Sequence, residues 1–133
     1  MGMVNWLAVV AAALSMFVIG GLWYSPMLFD KAWQRAANLS DEQIKSGNPA
    51  VIFGGAFVLT LVMAANLAFF VAGPDVTLGF AIGAALAAGF GWAALSVGVI
   101  TLFERRPLSY FLINGGYLTI SFGVMGLILG LWR

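Results

Sequence analysis

Gly20-Gly21-Leu22-Trp23-Tyr24-Ser25-Pro26 is the stretch on which the fold turns. A long apolar run ends there in two amphipathic aromatic residues and a Ser-Pro pair. Trp and Tyr favour the membrane–water border because each joins an apolar ring to a polar tip. The ring of Pro26 pushes Ser25 out of the helical region, so a helix arriving from the N-terminal side has to close at this point. The stretch therefore marks where a first membrane span, about residues 4–24, leaves the hydrocarbon. Asn5-Trp6 marks the opposite border of the same span.

Working outward, 62% of the 133 residues are hydrophobic and 8% are charged, with a mean hydropathy of +1.02. That leaves too little polar surface to cover a water-soluble globule. The apolar residues fall into four blocks, about 4–24, 49–72, 76–103 and 107–132. Each is long enough to cross roughly 30 Å of hydrocarbon at about 1.5 Å per residue. The expectation is an all-α polytopic membrane protein: one domain over 1–133, four transmembrane helices in a bundle and no soluble domain. The first block has neither a basic n-region nor a small-residue cleavage site, and it reads as a retained span rather than a signal peptide. Met1-Gly2 opens like a myristoylation signal, but Trp6 stands where Ser or Thr is required.

The connection 25–48 is the only long one. Phe29, Ala32, Trp33, Ala36 and Ala37 fall on one arc at 100° per residue, with Asp30, Lys31, Gln34 and Arg35 opposite, the pattern of a short amphipathic interfacial helix. Ser40-Asp41-Glu42-Gln43 is a capping box and predicts a second short helix over about 40–46. Asn48-Pro49 supplies an N-cap and an N1 proline for span two. Gly73-Pro74-Asp75 leaves room for a tight turn only, which makes spans two and three antiparallel neighbours. Glu104-Arg105-Arg106 makes the next turn, and Pro107 opens span four. Trp6, Trp23, Tyr24, Phe29, Trp33 and Trp132 are the expected interface anchors.

Small residues recur at helical steps. Span one carries Ala8, Ala11, Ala12, Ser15 and Gly20. Span three carries Gly83, Ala87 and Gly91, with Ala84 and Ala88 in a row beside them, and so belongs at the bundle centre. Span four carries Gly116, Gly123, Gly126 and Gly130. Such rows let helix backbones approach closely in lipid, where van der Waals packing replaces the hydrophobic drive. Asn114 and Tyr117 are expected to fix the register of span four. Five of the six basic residues (Lys31, Arg35, Lys45, Arg105 and Arg106) lie in the first and third connections. By the positive-inside rule both termini face outward and the 25–48 loop is cytoplasmic. On that placement Asn38-Leu39-Ser40 is a chance glycosylation sequon.

Chemistry has little to work with. Cysteine and histidine are absent, which removes thiolate nucleophiles, imidazole bases and the usual zinc, haem and iron–sulfur ligands. No acidic or basic residue lies inside a span, although ion-coupled transporters and most intramembrane enzymes rely on such groups. The expectation is no enzyme, no cofactor and no metal. A net charge of +1 spread over the connections implies no nucleic-acid partner. Asn66 and Asn114 are the costliest polar residues in hydrocarbon, and each is a candidate for an interhelical hydrogen bond or, in a different reading, for lining a polar path.

Asn5-Trp6, then Trp23-Tyr24-Ser25-Pro26 with Phe29, Lys31 and Trp33, and later Asn114, Gly116-Tyr117, Met125-Gly126, Gly130 and Trp132 together resemble a bacterial family of small four-span membrane proteins, domain of unknown function 1761. The match covers essentially the whole chain, departing from it at Asp30, where glycine is common in the family. The resemblance implies four spans and a bacterial inner (cytoplasmic) membrane location. It supplies no activity, substrate or cofactor. The leading functional expectation is a helix-packing protein whose partners are the lipid bilayer and either itself, as a homo-oligomer, or other membrane-protein subunits, to which it is accessory. The alternative is a small uncoupled transporter or channel for a neutral solute. An intramembrane enzyme using Tyr24 or Tyr117 ranks behind both.

Overall fold

The computed structural model describes residues 4–71 and 73–132. Met1-Gly2, Ala72 at the expected close of span two, and the terminal Arg133 lie outside the described residues. Among the described residues there is no strand, and four helices are long and apolar enough to cross a membrane: span one (Trp6–Trp23), span two (Pro49–Val71), span three (Leu78–Phe103) and span four (Leu108–Leu131). The architecture fits a multi-pass membrane protein.

The ends of these helices follow from local chemistry. Asn5 caps span one, its side-chain oxygen accepting from the Leu7 and Ala8 amides at 3.1 and 3.3 Å. Asn48 accepts from the Ala50 amide at 3.0 Å ahead of Pro49, and Thr77 accepts from the Phe80 amide at 3.0 Å at the start of span three. Each cap satisfies amide donors that have no partner inside the helix. The connection after span one folds into a loop helix, Asp30–Ala37, and a shorter helix, Asp41–Lys45. The shorter helix carries both halves of its capping box: the Gln43 amide donates to Ser40 Oγ at 3.1 Å and the Ser40 amide to Gln43 Oε1 at 2.8 Å. The loop helix turns its apolar arc to the bundle, with Ala36 and Ala37 buried, and leaves Lys31 and Arg35 exposed.

Span four, rather than span three, is the centre. Of its most apolar stretch 39% is buried against 17% for spans two and three, because it packs on spans one and three and meets span two and the loop helix as well. Span two lies mainly against span one. Although Gly73-Pro74-Asp75 joins spans two and three as antiparallel elements, they have little contact beyond their joined ends. The ring of helices is therefore open between them.

Span three contains a π-helical turn, Gly89–Ala94. Ala81, Ala85 and Gly89 face span four at four-residue steps; the wide turn then inserts a step of five, so that Ala94, Gly98 and Thr101 face it next. Continued α-helix would instead carry Trp92 and Ser96 inward. With the extra residue Trp92 points out, 76% exposed. A single π turn is how a helix absorbs one surplus residue without breaking its packing face.

Candidate functional site

The end of span one and the start of span four form the densest polar and aromatic cluster of the molecule. Span one closes in the turn at Ser25, whose hydroxyl donates to the Leu22 carbonyl at 2.7 Å, and the Phe29 amide then bonds back to the Trp23 carbonyl at 3.1 Å. That reversal lays the loop helix under the bundle and leaves Trp23 and Tyr24 aimed at span four. The Trp23 indole N–H donates to the Ile113 carbonyl at 2.8 Å. Tyr24 donates its hydroxyl to Asn114 Oδ1 at 2.5 Å, and the Tyr117 hydroxyl donates to the Met16 carbonyl at 3.2 Å. Both carbonyls belong to helices and use a second lone pair for these bonds.

Rings fill the space between the bonds. Tyr24 stands edge-on to Tyr117 and to Trp33 of the loop helix, with centroids 5.3 and 5.7 Å apart, and Trp23 packs on Phe29 at 4.9 Å. The backbones are close because glycine lies under the rings: a Cβ on Gly116 would come within 3.0 Å of the Trp23 ring, and one on Gly20 within 3.2 Å of the Tyr117 oxygen. From the third connection Arg106 donates Nη1 to the Ala37 carbonyl at 2.6 Å, stacks over Tyr110 at 5.1 Å and pairs with Glu104 at 3.0 Å. It thereby ties the C-terminus of the loop helix to the turn between spans three and four. Nothing in the composition singles out Arg106; it is one of two adjacent arginines, and only the fold distinguishes it.

Trp23, Tyr24, Phe29, Trp33, Asn114, Gly116 and Tyr117 are thus one cluster, although some 90 residues of chain separate its halves. A model of the family of proteins of unknown function DUF1761 matches residues 7–130. The chain belongs to that family. No curated protein and no solved structure matches it significantly.

In this DUF1761 member the remaining sequence-predicted residues separate into two groups. The glycines of span four touch other helices: a Cβ on Gly123 would come within 2.7 Å of Leu86, one on Gly126 would run into Ala85 and the Ala81 carbonyl, and one on Gly130 would lie 2.9 Å from Leu78. The Gly83, Ala87 and Gly91 row behaves differently. All three are exposed, and a Cβ on Gly83 or Gly91 would meet nothing within 4 Å. The row that meets span four is Ala81, Ala85 and Gly89, where a Cβ on Gly89 would lie 2.5 Å from that of Phe122.

The two asparagines also diverge. Asn114 makes its interhelical bond to Tyr24, whereas Asn66 is exposed and donates to the Val62 carbonyl of its own helix at 3.0 Å. Asn114 is about 9 Å from one end of the bundle and Asn66 about 8 Å from the other, by helical rise, so they do not share a path. Asn66 instead lines an apolar groove of about 480 Å³ in the opening between spans two and three. Of the anchors at the far end, Trp6 is exposed and stands edge-on to Phe69 at 6.2 Å, and Trp132 is exposed.

Proposed function

We propose that this protein is a non-enzymatic helix-packing component of the membrane that associates with further copies of itself through the outer face of span three, with an accessory role on a larger membrane complex as the broader form of the same reading. One observation carries it: Gly79, Gly83 and Gly91 stand open on that face, in line with exposed Ala87, a row about three turns long where span two has only the adjacent pair Gly54 and Gly55 open, while the glycines of span four are covered within the chain. Glycine costs roughly 1 kcal/mol relative to alanine in a helix interior, and lipid tails gain little from a face without side chains. A second helix gains close backbone approach there.

Basic residues support a cytoplasmic position for the 25–48 loop, with both termini outside and the loop helix lying at the interface, Lys31 and Arg35 reaching towards headgroups. The cluster around Tyr24 and Asn114 then acts as the structural lock that holds the bundle in one register while its outer face is used. The membrane is a bacterial inner membrane in this reading, as the family resemblance suggests.

The chain lacks cysteine, so introduced thiols report proximity without background. Gly83→Cys and Gly91→Cys should each give a disulfide-linked dimer on mild oxidation in native membranes, whereas Val58→Cys on exposed span two should not. Equal yields at all three positions would indicate random collision and remove the reading.

A further inference from the structure

The groove between spans two and three has a shape that selects its occupant. Met63, Asn66 and Phe70 of span two form one wall, Phe80, Ala84 and Trp92 of span three the other, and Phe122 of span four the floor. The π turn builds the inner end of this wall, because it swings Trp92 away from span four and into the opening. Phe80 lies two residues inside the start of span three, and twelve residues separate it from Trp92, so the groove runs from near the helix end for about 18 Å. Half of a roughly 30 Å hydrocarbon core is about 15 Å. The groove therefore begins near the membrane border and descends through one leaflet.

Its width decides between a helix and a lipid. About 480 Å³ spread along that length, with a water radius of about 1.4 Å added on each side, leaves roughly 8 Å between the walls, room for a hydrocarbon chain with carbon contacts at about 4 Å and less than the thickness of a helix. A helix about 10–12 Å thick would ride on the rims formed by Phe70, Phe80 and Trp92, all more than half exposed. The surrounding solvent is itself hydrocarbon, so a lipid headed at the near border supplies the matching chain.

We infer that this groove holds one acyl chain of a glycerophospholipid from the leaflet at the Asn5 end, as a resident molecule distinct from the exchanging lipid annulus. The inference does not rest on self-association and requires only that the four helices cross the membrane; Ala87 alone borders both the groove and the proposed association face. The test is native mass spectrometry of protein taken from vesicles of palmitoyl-oleoyl phosphatidylethanolamine and phosphatidylglycerol. Wild type should keep one phospholipid per chain at a collision energy that strips all others. Asn66→Phe, which fills the groove from an exposed position, should keep none while retaining wild-type melting and assembly state, and Asn66→Leu should keep the lipid. Failure of wild type to keep a phospholipid, equal retention by Asn66→Phe, or loss of self-association in Asn66→Phe would overturn it, the last by assigning the groove to a helix. A measurement on the unfilled groove guards against a misfolded variant: Trp92 emission, taken as wild type minus Trp92→Phe, should be quenched by mid-chain brominated phosphatidylcholine at about one lipid per chain. Quenching that only tracks the bulk fraction of brominated lipid would equally overturn the assignment.

Discussion

Gly126 and Gly83 are both glycines in long apolar helices, yet a methyl group on the first would meet Ala85 and backbone, and on the second nothing. Gly126→Ala should therefore destabilise by about 1–3 kcal/mol through overpacking. Gly83→Ala should be neutral or stabilise the protomer by up to about 1 kcal/mol through helix propensity; thermal unfolding in dilute detergent reads both. At the other end of span four, Tyr24→Phe and Asn114→Leu should each cost about 1 kcal/mol, the size of an interhelical hydrogen bond in lipid. Their double variant should cost clearly less than the sum, since both remove the same bond, and strict additivity would show that the pair is not coupled. The contacts of the span four glycines were legible because small residues recur down one helix with bulk on either side. In span three alanine and glycine are so abundant that several rows coexist, and hydropathy does not choose between Gly83-Ala87-Gly91 and Ala81-Ala85-Gly89.

The π turn of span three is the element that the sequence conceals. No proline or charge marks it, and it reveals itself only through the change from four-residue steps to one of five between Gly89 and Ala94. Deleting Gly91 would remove the surplus residue and let Ala94, Gly98 and Thr101 keep facing span four in unbroken α-helix. Deleting Val97 would rotate Gly98 and Thr101 away by about 100°. The first deletion should leave melting within a few degrees of wild type, and the second should abolish the folded state. Equal damage from both would contradict the account of the turn. The loop helix was legible from its amphipathic arc, but its tether was not. Arg106→Met should raise hydrogen exchange over Asp30–Ala37 about fivefold, equivalent to about 1 kcal/mol for a partly exposed guanidinium, with little change in span two.

At the scale of the whole molecule, four blocks of apolar residues and three turn signals were enough to specify the helices and their directions. They did not specify which helix is central, because that depends on which small residues face one another after folding. Reporter fusions should place both termini outside and a tag near Ser40 in the cytoplasm; a cytoplasmic signal from the C-terminus would reverse the orientation. The central claim is a division of labour between two glycine faces, that of span four for folding and that of span three for assembly. Its most direct test is the mass of the purified protein in nanodiscs or mild detergent, read together with its melting, for Gly83→Leu/Gly91→Leu against Gly126→Leu. The account predicts that the span three double variant melts like wild type but runs as a monomer where wild type is an oligomer, while Gly126→Leu fails to fold. A span three double variant with wild-type mass and melting would contradict it.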